Sequence, residues 1–75
     1  MQIIIKNKIE EKVNEYQRNT GATKTWICQQ LGMSNQNLYK IFTSKNLTIE
    51  TLIKFSIILK CDITDLFEYH IIPDI

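Results

Sequence analysis

The chain alternates between two kinds of spacing. From residue 5, apolar residues recur every three to four positions, Ile5, Ile9, Val13 and Tyr16, with Glu and Lys between them. That period predicts a helix with one buried stripe. Gly21 fits the left-handed residue that ends such a helix. Thr23 is placed to cap a second helix, with Ile27, Cys28 and Leu31 inward and Gly32 as its stop. Met33 then turns inward, and Ser34 caps a third helix running from Asn35 to about Thr43. After the linker "TSKN", Thr48 caps a fourth helix through Lys60. Its apolar residues Ile49, Leu52, Ile53, Phe55, Ile58 and Leu59 cover more than one face, as in a helix central to a core or shared with a partner. Asp62 is placed to cap a last short helix containing Asp65, Leu66 and Phe67. The two ends carry β-type runs, "QIIIK" and "YHII", able to pair with each other or across a dimer. Ile3 to Ile5 fit the first turn of helix one equally well. The expectation is an all-α fold, a compact bundle of about five helices with a helix-turn-helix in helices two and three, and short terminal strands where those runs pair.

Length narrows this to a single domain over residues 1–75, with the helix-turn-helix at about 23–43. A chain of this size buries only about 60% of its unfolded surface, so stability is thin. Disulfides, metals or a second subunit commonly supplement it. Cys28 and Cys61 stand alone inside apolar patterns, without the spacing of a zinc site, and read as small core residues in a reducing cytoplasm. Oligomerisation remains as the added source of stability. No stretch has the makeup of a signal peptide or the ~20 apolar residues of a membrane span.

The net charge is only +1, but all eight acids lie at Glu10 to Glu15 or from Glu50 onward. Between Gln17 and Ile49 the only charged residues are Arg18, Lys24, Lys40 and Lys45. Such a basic middle suits a polyanion. Placed on a wheel at 100° per residue, helix three gathers Leu38, Ile41 and Phe42 in one sector. Gln36, Tyr39, Lys40 and Thr43 gather opposite, flanked by Asn35 and Asn37. An amide presents a donor beside an acceptor, matching adenine N6 and N7 in the major groove, and a lysine donates to guanine or to phosphate. A short helix, the tight turn "LGMS" and an amide-bearing helix together describe a DNA-reading helix-turn-helix.

The segment "TKTWICQQLGMSNQNLYKIFTSKNLTIETLIKFSIILKCDITDLFE" resembles the Cro-type (XRE, lambda-repressor-like) helix-turn-helix domains of bacteria and phages, over about Asn7 to Glu68. The resemblance implies a sequence-specific transcriptional regulator, usually a repressor, often a homodimer on a near-palindromic operator of double-stranded DNA. Carried over by position, it makes Asn35, Gln36 and Lys40 the base readers. Thr23, Lys24, Ser34, Asn37, Tyr39, Thr43, Ser44 and Lys45 become backbone contacts. Lys24 replaces the family's usual Gln, Phe42 a frequent Glu, and Thr43-Ser44 a frequent Asn-Gly. Lys60 stands where a helix-ending Gly is usual, implying a strained cap.

Other residues carry less. Trp26 falls at a partly exposed position, suited to packing within the chain. Ile57 points outward from helix four and is the candidate dimer contact. His70, the lone histidine, lacks ligand-spaced partners and fits a solvent-facing or strand-edge place. No cofactor, metal, small-molecule ligand, membrane or catalytic constellation is implied. The competing reading is a protein-interaction module, antitoxin-like or an adaptor, working through the apolar excess of helix four and the terminal runs.

Overall fold

The computed structural model describes residues 1–74. Strand β1 (Gln2–Asn7) leads into α1 (Ile9–Thr20), α2 (Lys24–Leu31), α3 (Asn35–Phe42) and α4 (Ile49–Leu59), and strand β2 (Phe67–Ile72) closes the chain. The β-type ends pair with each other. β1 and β2 form an antiparallel two-stranded ribbon, from Gln2 opposite Ile72 to Asn7 opposite Phe67. Ile3 to Ile5 are therefore strand, and α1 begins only at Ile9.

The expected fifth helix is a single 3-10 turn, Ile63–Asp65. The Asp62 amide donates to Asp65 Oδ2 at 3.1 Å, and the Asp65 amide donates to the Asp62 carbonyl at 3.0 Å. This closes one turn, and then Phe67, Tyr69, Ile71 and Ile72 follow. Aromatic and β-branched residues favour strand, and the isoleucines of β1 offer them cross-strand partners. The result is a four-helix domain with a ribbon, not a five-helix all-α bundle.

The core is built where the helical stripes meet. Ile9 and Val13 from α1, Ile27, Cys28 and Leu31 from α2, Leu38 and Phe42 from α3, Leu52, Phe55 and Leu59 from α4, and Leu66 form one buried cluster. Cys61 only half joins it. Burial raises both thiols above their ordinary value, and the carboxylates of Asp65, Asp62 and Glu15 push Cys61 further in the same direction. On α4 the crowded pattern divides in two. Leu52, Phe55 and Leu59 are buried and Ile58 half-buried, whereas Ile49, Ile53 and Ile57 form an exposed line at four-residue spacing.

Lys60 does end α4 in the left-handed region, at φ 54° and ψ 48°. A side chain there costs energy that glycine would avoid. Trp26 stacks on Tyr16 with ring centroids 6.5 Å apart and planes inclined by 13°, so it packs within the chain. No helix among the described residues is long and apolar enough to cross a membrane.

Candidate nucleic-acid interface

Two hydroxyl caps set the helix-turn-helix. Thr23 Oγ1 accepts from the Trp26 amide at 3.0 Å and opens α2. Ser34 Oγ accepts from the Asn37 amide at 3.2 Å and opens α3. Each cap satisfies an amide that has no partner inside the helix. Between them Gly32 adopts φ 68°, and the Met33 amide donates to the Cys28 carbonyl at 3.0 Å. A Cβ on Gly32 would meet no atom within 4 Å, so glycine is used there for its backbone freedom and not for space.

Leu38 and Phe42 anchor α3 in the core, and Ile41 is half-buried beside them. The opposite side stands in solvent: Asn35, Gln36, Asn37, Tyr39, Lys40 and Thr43 are all exposed. Tyr39 rests edge-on against Phe42, centroids 5.8 Å apart and planes at 88°. That contact packs one side of the ring while the residue as a whole stays exposed.

Around this face lie the other sequence-derived residues. Lys24 is half-buried at the first turn of α2, and Lys45 is exposed in the loop after α3. Among the described residues the ion pairs use Lys8, Lys12, Lys54 and the N-terminal amine, and none uses Lys24, Lys40 or Lys45. Those three cations thus have no protein carboxylate to release before meeting phosphate.

Thr43 and Ser44 differ from the rest. Thr43 Oγ1 donates to the Lys40 carbonyl at 3.3 Å, and Ser44 Oγ donates to the Asn46 carbonyl at 3.3 Å while accepting from the Asn46 amide at 3.1 Å. These hydroxyls shape the loop and must rotate before either can donate to phosphate.

One residue of the site escaped the sequence reading. Asn7, at the end of β1, donates from Nδ2 to the carbonyls of Ile41 at 2.6 Å and Ser44 at 2.9 Å, and its Oδ1 accepts from the Ile9 amide at 2.9 Å. It ties the C-terminal end of α3, and the loop carrying Lys45, to the strand and to the start of α1. The only local signal was an Asn two residues before a helical stripe. Its partners, at the end of α3 and in the loop after it, lie 34 and 37 positions away.

Comparison with known proteins agrees with this geometry. Neither a curated protein nor a solved structure gives a significant match to the chain. A family model described as a Cro/C1-type HTH DNA-binding domain matches residues 2–71, nearly the full length, including β1 and all of β2 but its last residue. With its capped, glycine-jointed pair α2–α3, the chain belongs to the Cro/C1-type helix-turn-helix DNA-binding family.

Proposed function

We propose that this chain is a transcriptional regulator, a repressor, that reads double-stranded DNA by laying α3 in the major groove. The observation that carries the reading is the solvent face of α3. It is made of amides, a lysine and a tyrosine, inside a stretch with no acid from Gln17 to Ile49. Asn35, Gln36 and Lys40 read bases, and the amides suit adenine. Thr23, Lys24, Ser34, Asn37, Tyr39, Thr43, Ser44 and Lys45 position the backbone. The whole of residues 1–75 acts as one domain, in a reducing cytoplasm and without a small-molecule effector or catalysis. As a homodimer it presents two recognition helices about 34 Å apart to a near-palindromic operator.

The test is selection of bound fragments from pooled genomic DNA, followed by titration with NaCl. If the lysines at 24 and 45 of both protomers neutralise phosphates, affinity falls roughly 10²-fold between 50 and 200 mM salt. Gln36→Ala relaxes preference at one base position, each good contact being worth about 1–3 kcal/mol. Lys45→Ala weakens all sequences alike. Absence of binding at low salt would refute the proposal.

The exposed line of Ile49, Ile53 and Ile57 favours a second reading, a protein-interaction module. Ile57, 68% exposed, would then be a contact to a partner protein, or to a second copy if the DNA reading holds. Apolar association of this kind responds little to salt, which separates it from binding to phosphate.

A further inference from the structure

The ribbon carries a free edge that reading DNA does not use. Its first strand is paired on one side only. The Lys8 amide donates to the Leu66 carbonyl at 2.9 Å, in step with the pairing of Gln2 to Ile72. Bonded and non-bonded pairs alternate along an antiparallel ladder. Gln2, Ile4 and Lys6 therefore spend their main-chain groups on β2, and Ile3 and Ile5 turn theirs outward. Among the described residues, neither finds another backbone partner. Such an edge is a template for a further strand, and two strands alone are at best marginal in water.

The surroundings of that edge select what can join it. A cleft of about 400 Å³ separates Gln2 to Ile5 from the loop residues Lys45 and Asn46. This is far more than the ~30 Å³ of one water, so a chain segment can enter. β1 and the loop are tied where Asn7 donates to the Ser44 carbonyl at 2.9 Å, and the cleft opens beyond that tie. Beside it, Ile5, Leu47, Leu52 and Phe67 line an apolar hollow of about 130 Å³. Lys45 is the one charged residue lining the cleft, and no acid lines the cleft or the hollow. Among the described residues, neither Lys45 nor Lys6 of β1 takes part in an ion pair.

We propose that β1 accepts an extended segment of a partner protein as a third strand, a segment bearing apolar and acidic side chains, and that it competes with DNA for Lys45. An apolar side chain fills the hollow at Ile5, and a carboxylate meets the Lys45 ammonium. Strand addition of this kind takes affinity from main-chain hydrogen bonds and specificity from the alternate side chains. The competition rests on Lys45 as a phosphate contact in the reading above, whereas the docking stands on the edge and its cleft alone.

The charges and the topology argue against a second copy as the occupant. Its β1, Gln2–Asn7, has a lysine and no acid. Laid on another β1, it would bring like charges together. If β2 of a second copy were laid on β1, the same two edges would stay free at the ends, and copies would add without closing.

The probe is an end-blocked peptide of six residues, the length of β1, in which valine alternates with glutamate. Added at about 1 mM to the full chain, it should slow the exchange of the Ile3 and Ile5 amides, read by NMR. The amides of Ile4 and Lys6, already in the ladder, should change little. Lys45→Gln should weaken the complex, and so should lysine in place of each glutamate of the peptide. Ile3→Pro deletes an outward amide without touching the ladder to β2. It should raise the dissociation constant of the peptide about fivefold above that of Ile3→Ala. In titrations of bound DNA fragments, the peptide should raise the apparent dissociation constant of the unaltered chain, and do so less for Lys45→Gln.

Unchanged exchange at Ile3 and Ile5 overturns the docking. So does protection gained at Tyr69 and Ile71 of β2 in their place, or equal binding of the lysine peptide. A peptide that protects β1 and leaves DNA affinity unchanged overturns the competition. If the chain binds no DNA, the DNA reading falls and the competition with it, while exchange at β1 still decides the docking. That measurement uses the unaltered chain, so a misfolded Ile3→Pro cannot obscure it.

Discussion

Asn7→Ala tests how the reading face is held. The side chain makes three hydrogen bonds, to the Ile41 and Ser44 carbonyls and from the Ile9 amide, all in partly buried surroundings. The Ile41 carbonyl keeps the Ser44 amide at 3.1 Å after truncation, so one acceptor stays served. The Ser44 carbonyl and the Ile9 amide lose their side-chain partner. At about 0.5–1.5 kcal/mol net per bond, more where a partner is left unsatisfied, the loss comes to about 2–3 kcal/mol. A domain of this size has roughly 4–11 kcal/mol in all, so this side chain carries a sizeable share.

Urea unfolding followed by circular dichroism reads the change directly. With a slope of about 1 kcal/mol/M for so small a chain, the midpoint drops by roughly 2–3 M. Asn7→Asp sharpens the test, because it is closer in shape yet should do at least as much harm at neutral pH. It keeps the acceptor for Ile9 but sets a carboxylate against two carbonyl oxygens. Protonation restores one donor, so the pKa of that carboxyl is raised in the folded state, and lowering the pH should recover part of the stability. A loss below about 0.5 kcal/mol for Asn7→Ala would refute the reasoning. So would Asn7→Asp being the milder change.

Other consequences can be checked beside it. Lys60→Gly relieves a left-handed residue at φ 54° and should stabilise by about 1 kcal/mol in the same urea assay. Gly32→Ala should cost a similar amount, since only backbone strain is added where a Cβ meets nothing. Leu38→Ala removes a fully buried anchor of α3 and should cost about 2–5 kcal/mol by thermal or urea unfolding. The Lys8 ammonium lies 3.2 Å from Glu68, and their hydrogen bond and mutual charge lower the carboxyl pKa and raise that of the amine. The pair's contribution should hold from about pH 4.5 to 10.5. It should be lost as pH falls through the depressed pKa of Glu68 or rises through the elevated one of Lys8. Glu68→Gln should flatten both limbs of the stability profile.

Local chemistry was legible where the relevant partner lies within a few residues. Thr23, Ser34 and Thr48 were recognisable as caps from their place before apolar stripes, and each accepts from the amide three residues on. The face of α3 was legible too, because an eight-residue helix shows its solvent side by spacing alone. Spacing could not say which isoleucines of α4 are covered. Ile49 and Ile53 match the stripe as well as Leu52 does, and they stay in solvent because α1, α2 and the 3-10 turn pack on the side that carries Leu52, Phe55 and Leu59. "DITDLF" carries the start of a helix and no signal for its length. The strand that follows wins because β1, whose residues pair with it from sixty to seventy positions away in sequence, supplies its ladder. Asn7 was invisible for the same reason.

These long-range links tie the two ends of the chain to α3. β1 is bonded through Asn7 to the end of α3, and through its ladder to β2. Asn7 thus ties the ribbon to the end of α3 and to the loop carrying Lys45. If two copies bind one site, the spacing of their α3 helices depends on how firmly each is held, and Asn7 is a contact beside that face. It follows that Asn7→Ala, studied where it remains folded, should bind isolated half-sites with little change. Its discrimination between palindromes whose half-sites are one helical turn apart and those shifted by a base pair or two should weaken. Gln36→Ala should do the reverse, blurring the base while keeping the spacing preference. Were Asn7→Ala to keep full spacing discrimination, the rigid path would have to run elsewhere, and the exposed line of Ile49, Ile53 and Ile57 would be the place to look.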